Sequence, residues 1–196
     1  MKPASFKYLC PDSLDEALAA TAQHGAEAKL LAGGQSLIPA MNFRVMQPAV
    51  LVDLNPLNEL SYIRSEDDGG MRIGAMTRLR RLERDPLVAA RVPLLYAALP
   101  HIAHTQIRTR ATVGGSLVHA DPAAELPVVT LALAARYRVQ NSSGSRWIDS
   151  SAFFRGFFNT AIESDEIMVE ISLPPMAART GCAFLEVARR KGDYAM

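Results

Sequence analysis

The segment Leu30-Leu31-Ala32-Gly33-Gly34-Gln35-Ser36-Leu37-Ile38 constrains this chain more than any other. An apolar run stops at two adjacent glycines, passes a Gln and a Ser, and then resumes. A turn that only reverses direction has no use for that chemistry. Glycine admits positive φ and lacks a Cβ, so successive amide N–H groups can approach a ligand closely. Amides gathered in this way, or at a helix start, attract phosphate oxygens. The strand before Gly33 anchors the loop, Gln35 and Ser36 supply donors, and a short helix starting near Ser36 would aim its N-terminus at the same spot. In the other half of the chain Thr112-Val113-Gly114-Gly115-Ser116-Leu117 repeats the pattern, with hydroxyls from Thr112 and Ser116 around the glycines. One such loop suits one phosphate group. Two that converge suit a diphosphate, and hence a dinucleotide. Either pair taken alone is also compatible with a plain tight turn.

The patterning around these loops is that of an α+β protein. Phe6 to Leu9 reads as a short edge strand ending at Pro11. Ser13 and Glu16 have capping-box spacing, Leu14, Ala17, Leu18 and Thr21 follow on one helical face, and Gly25 ends the helix. Strands are expected over Ala28–Ala32 and Val50–Asp53, which makes residues 1–57 a small α/β lobe. The remainder, 58–196, reads as a larger α+β lobe with antiparallel pairing. Hairpins are expected around Glu66–Gly70 and Asn141–Gly144, helices over Leu79–Leu87 and Leu94–Ile102, and strands over Ile167–Leu173 and Ala183–Ala188.

Several functions are excluded. Charged residues are 21% of the chain and the formal net charge is +1, so no global field draws it to nucleic acid or an anionic membrane. The basic run Arg78–Arg84 has Leu79 and Leu82 on one face and no interleaved aromatics, which describes a solvated helix face. The uncharged apolar run Leu126–Ala135 is too short to span a bilayer and contains Pro127. The start carries no apolar signal region, and Cys10 and Cys182, far apart beside apolar neighbours, read as buried free thiols. A cytoplasmic protein is expected.

No P-loop and no Gly-x-Gly-x-x-Gly is present. Gly34-Gln35-Ser36-Leu37-Ile38 fails as a nucleophile elbow because Ile38 stands where glycine is required. Ser116, His119 and Asp121 are too local for a triad, and His101 with His104 lacks a third metal ligand. No catalytic residue and no metal ligand is named. Phe153-Phe154-Arg155-Gly156-Phe157-Phe158 reads as core or as a face against a partner.

Three ordered motifs carry a resemblance. Ala32-Gly33-Gly34-Gln35-Ser36-Leu37-Ile38-Pro39 resembles the first FAD loop of the medium, flavin-carrying subunits of molybdenum hydroxylases, such as aerobic carbon monoxide dehydrogenase, and of the xanthine dehydrogenase flavin domain. Gln106 to Leu117, continuing through His119-Ala120-Asp121-Pro122 to Pro127, is similar to their second loop, and Phe184 to Ala195 to their Arg-x-x-Gly-Asp-aromatic-Ala strand. Thr109 and Ser116 replace common Asn residues, and Leu185-Glu186 stand where some relatives carry a Lys. The resemblance implies a two-lobed FAD-binding fold of the vanillyl-alcohol oxidase (PCMH) type. It implies that Ala32, Gly33, Gly34, Gln35 and Ser36, with Thr112, Val113, Gly114, Gly115 and Ser116, hold the diphosphate and adjoining sugar. Glu125 would stand near the sugar, Ile102 and Met168 would line the flavin, and Tyr194 would lie near the isoalloxazine ring. The implied function is electron transfer in an oxidoreductase. Electrons would come from a large molybdenum-cofactor subunit through [2Fe-2S] clusters on a small subunit, and leave FAD for an acceptor that the resemblance does not identify. A free-standing FAD oxidoreductase and a non-catalytic nucleotide-binding module are the alternatives. Family members continue beyond the last motif, so a fragment lacking their C-terminal domain is also expected.

Overall fold

The structure, a computed structural model, describes residues 2–190 and 192–196. The chain opens with β1 (Lys7–Leu9), α1 (Leu14–His24), β2 (Ala28–Leu31), α2 (Leu37–Asn42) and β3 (Val50–Asp53). The strands form a parallel sheet in the order β1-β3-β2, with β1 at an edge as expected. Ser13 Oγ accepts from Glu16 N at 3.2 Å, while Glu16 reaches back to the N–H of Asp12, one residue before the cap, at 3.0 Å. Ala17 and Leu18 on the inner face of α1 pack with Val50 and Val52, and Gly25 leaves the helix at φ +48.

The second half begins with the hairpin β4 (Ile63–Ser65) and β5 (Met71–Gly74). Short helices follow: α3 (Leu79–Arg84), α4 (Pro86–Arg91), α5 (Pro93–Ala98), α6 (Thr105–Arg110), α7 (Val113–His119) and α8 (Glu125–Ala132). The hairpin β6 (Arg136–Asn141) and β7 (Gly144–Asp149), the turn α9 (Ser150–Phe153), the small pair β8 (Phe154–Gly156) and β9 (Asn159–Thr160), and β10 (Ile167–Leu173) complete it. The antiparallel sheet runs β4-β5-β10-β6-β7. β10 serves both interiors. Ile167 and Val169 pack with the parallel-sheet core, whereas Met168, Ile171 and Leu173 enter the larger one, and a register shift between Met168 and Glu170 allows the change of face.

Four expectations need correction. The helix expected over Leu79–Leu87 breaks at Asp85, because Pro86 cannot donate and takes the first position of a new helix that Asp85 caps by accepting from Leu87 N at 2.9 Å. Pro93 likewise begins α5, and the helix expected to Ile102 tightens into a 3-10 turn at Leu99–His101. Ala183–Ala188 is not a strand. Among the described residues only an isolated Ala188–Ala195 bridge forms here and no neighbouring strand supplies a ladder, so Leu185 and Val187 are 93% and 70% exposed. Cys10 and Cys182 are free but exposed rather than buried, one at the end of an edge strand and the other in the irregular segment after β10.

The phenylalanine run divides between both readings. Phe153 and Phe154 join the core, while Phe157 and Phe158 are exposed.

Candidate functional site

Parallel pairing brings Leu31 and Asp53 to adjacent carboxyl-terminal ends of β2 and β3. Ligands of α/β units gather at that edge of a sheet. A cleft of about 480 Å³ opens there, bordered by Gly33, Gly34, Gln35, Asp53, Asn55 and Arg110 among others. Ordinary ligand pockets run from roughly 300 to 1,000 Å³.

The two glycine segments lie side by side, and the first of them borders this cleft. A Cβ on Gly33 would stand 2.6 Å from the carbonyl oxygen of Arg110 and 2.7 Å from Ala111 Cα. One on Gly115 would stand 3.5 Å from the Cβ of Ala32. Gly33 therefore allows the first bend to rest on backbone just ahead of the second. Gly34, at φ +72, takes a conformation that other residues adopt at a cost.

The second segment is helical rather than a loop. Thr112 caps α7 by accepting from Gly115 N at 3.1 Å. Val113 N donates to Thr77 O at 3.0 Å, Gly114 N to Ala75 O at 2.9 Å, and Ser116 N to Thr112 O at 3.1 Å. Gly114 lets the helix approach β5 closely, since a Cβ there would meet that of Ala75 at 2.7 Å. The amides of the first turn thus have partners within the protein. Free N–H groups belong to the first bend instead. Those of Gly33, Gly34, Gln35 and Ser36 meet no acceptor among the described residues. The Gln35 side chain folds back onto Gly33 O at 3.0 Å.

A hydrogen-bonded brace spans the wall of the cleft. Tyr8 donates to Asp53 Oδ2 at 2.5 Å, and Asp53 Oδ1 accepts from the main-chain N–H of Asn55 at 2.9 Å and from its side-chain amide. Asn55 Nδ2 also reaches Ala32 O at 3.0 Å. Arg78 donates to Asn55 Oδ1 at 2.5 Å and to the carbonyl of Arg110. Hydrogen bonding to Asp53 raises the pKa of the Tyr8 phenol, with burial and the Asp53 charge adding to it. Burial lowers that of Arg78, and the neighbouring Arg110 cation lowers it further. Sequence reasoning placed Asp53 in a strand and Arg78 on a solvated face, and gave no role to Asn55 or Arg110. Val52-Asp53-Leu54-Asn55 at a strand end was the available signal; nothing local marks Arg78.

Other sequence-derived site residues lie elsewhere. Ile102 is 9% exposed at the border of the larger core, and its carbonyl accepts from Arg108 at 2.8 Å. Met168 is buried in the same core. Glu125 begins α8, where burial raises its carboxyl pKa and the charges of Glu186 and Asp121 raise it further. Glu186 Oε2 lies 3.2 Å from His101 Nδ1, an ion pair only when the imidazole is protonated, and has no other partner among the described residues. Tyr194 is 74% exposed, two positions after Gly192, which rests on Ala103. None of these residues borders the cleft. Lys191 of the terminal motif lies outside the described residues. Among the described residues no cluster of His, Cys, Asp and Glu is placed to hold a metal ion, and no helix is long and apolar enough to cross a membrane.

Residues 4–176 match the family described as FAD binding domain in molybdopterin dehydrogenase. The caffeine dehydrogenase subunit beta of Pseudomonas sp. (strain CBB1) is 42% identical over all of this chain and 66% of its own. The 6-hydroxypseudooxynicotine dehydrogenase complex subunit alpha of Paenarthrobacter nicotinovorans is 45% identical over the same shares. A solved structure of carbon monoxide dehydrogenase from Hydrogenophaga pseudoflava superposes with a TM-score of 0.96 at 42% identity, over all of this chain and 68% of that one. The chain therefore spans about two thirds of the length of these relatives.

Proposed function

Because the chain belongs to the family of FAD-binding domains in molybdopterin dehydrogenases, we propose that it is the flavin-carrying, electron-transferring part of a molybdenum hydroxylase. The observation that carries this reading is the packing of the two glycine segments against each other, beside a cleft bordered by first-bend amides that meet no acceptor among the described residues. Asp53 already accepts three bonds from Tyr8 and Asn55, and the first-bend amides and the Arg110 cation are the donors left to a ligand. That donor set fits the diphosphate of FAD.

Gly33, Gly34, Gln35 and Ser36 would receive the phosphate oxygens. Thr112 to Ser116 would form the opposing wall with a surface lacking a side chain at Gly115. Glu125, Ile102, Met168 and Tyr194 keep their proposed places along the sugar and flavin. Bound FAD would take up electrons and release them to an acceptor. The chain itself binds, orients and shields; no side chain is assigned as an acid or base. Cys10 and Cys182 are too few for a four-cysteine iron–sulfur centre, so such clusters, like the molybdenum cofactor, are assigned to small and large partner subunits in the cytoplasm. The division at 57/58 into two lobes belongs to the same proposal.

The test is purification followed by a visible spectrum. A yellow protein releasing FAD, copurifying with a large and a small chain, is the expected result. A flavin-loaded protein without partners would indicate a free-standing oxidoreductase. Failure to take up FAD from excess would overturn the reading.

A further inference from the structure

The cleft is bordered by one cation that has no ion-pair partner among the described residues. Arg110 borders it and is exposed, and only its carbonyl is engaged; its guanidinium makes no hydrogen bond or ion pair among the described residues. The nearby carboxylate, Asp53, already accepts from Tyr8 and Asn55. Arg78 stands behind it, donating to Asn55 and to the Arg110 carbonyl, so two guanidinium groups share one wall. An anion in the cleft relieves their repulsion.

The root of Arg110 is also fixed. Its carbonyl is held by Arg78 and lies under Gly33, and the following Ala111 accepts from Leu79 N at 2.9 Å. Arg110 therefore stands on a well-held backbone and borders the same cleft as Gly33, Gly34 and Gln35. The first-bend amides can satisfy one phosphate group. A guanidinium offers a paired N–H edge that takes two oxygens of another.

We propose that Arg110 binds the second phosphate of FAD and makes this cleft prefer the diphosphate-bearing dinucleotide over the mononucleotide FMN. The inference rests on reading the cleft as the FAD site. FMN has a single phosphate, which the loop amides engage alone; only a diphosphate reaches both sets of donors.

The experiment titrates FAD and FMN into flavin-stripped wild-type, Arg110→Ala and Arg110→Lys proteins, following flavin fluorescence. Arg110→Ala is expected to weaken FAD about tenfold to a hundredfold, the range for losing a paired charge-assisted contact, with FMN changed less than twofold. Arg110→Lys keeps the charge without the paired edge and is expected to fall between. Unfolding midpoints should be unchanged, since the side chain makes no hydrogen bond or ion pair among the described residues. FAD affinity within twofold of wild type in Arg110→Ala, or an equal loss for FAD and FMN, overturns the proposal while leaving the cleft as the FAD site. Wild-type protein that binds neither flavin overturns the site itself.

Discussion

A methyl group added at Gly33 tests the contact between the two bends. In Gly33→Ala the new carbon would stand 2.6 Å from Arg110 O, 2.7 Å from Ala111 Cα and 3.1 Å from Ala111 N. Carbon contacts become favourable only near about 3.5 Å. All three obstacles are backbone, so no side-chain rotation relieves them. That backbone is itself tied down, with Ala111 N donating to Ile107 O at 2.8 Å and Ala111 O accepting from Leu79 N at 2.9 Å. The bends must move apart, and overpacking of this kind costs about 1–3 kcal/mol. Gly33 does not lie at positive φ, so the stiffer unfolded chain returns about 0.4–1 kcal/mol. The expected net loss is about 1–2 kcal/mol, a fall in melting temperature of roughly 2–8 °C for a chain of this size. Urea unfolding followed by the single tryptophan, Trp147, and by circular dichroism measures it. Gly181→Ala is the control, because nothing lies within 4 Å of its Cβ position. A Gly33→Ala protein as stable as Gly181→Ala would refute the contact and with it the convergence of the bends.

Arg108 is 6% exposed, pairs with both oxygens of Glu83 at 3.0 and 3.1 Å, and donates to the carbonyls of Ile102 and Ala103. Arg108→Met strands a largely buried carboxylate and should cost about 3–5 kcal/mol, towards the lower figure because Arg80 still reaches Glu83, as a thermal melt would register. Thr112→Val removes the cap of α7 and should cost about 0.5–2 kcal/mol in urea unfolding. Acid should destabilise the fold through Glu83 and Glu166. Burial pushes both carboxyl pKa values up, but bonds from Arg108 and Arg80 to Glu83, and from Arg146 to Glu166, outweigh it and hold both below the ordinary value. Their contribution is therefore complete above the unfolded carboxyl pKa, about 4.3, and is lost as pH falls through the lower folded values. Urea midpoints measured against pH should show a flatter acid limb in Glu83→Gln.

Local signals carried much of the fold. Ser13 caps its helix and Gly25 ends it, both hairpins close around their turn residues, and Ile167–Leu173 forms a strand with the expected bounds. What was hidden depends on distant partners. Glycine disfavours helix interiors by about 1 kcal/mol, so Val113–His119 reads as loop until Ala75 and Thr77 are present to take its first amides. Ala183–Ala188 has strand-like composition, yet a strand exists only where another backbone pairs with it. At the cleft the glycines were legible, while Asn55, Arg78 and Arg110 come together across separations of 23 and 32 residues that no period encodes.

The change of face at Val169 leaves β10 unusually intolerant of insertion. Elsewhere a stray residue in a strand disturbs one interior; here it would rotate Ile171 and Leu173 outward and pull Ile167 from beneath the parallel sheet. Natural variation in length should therefore collect in the turns on either side of this strand, with the seven residues themselves varying only by substitution.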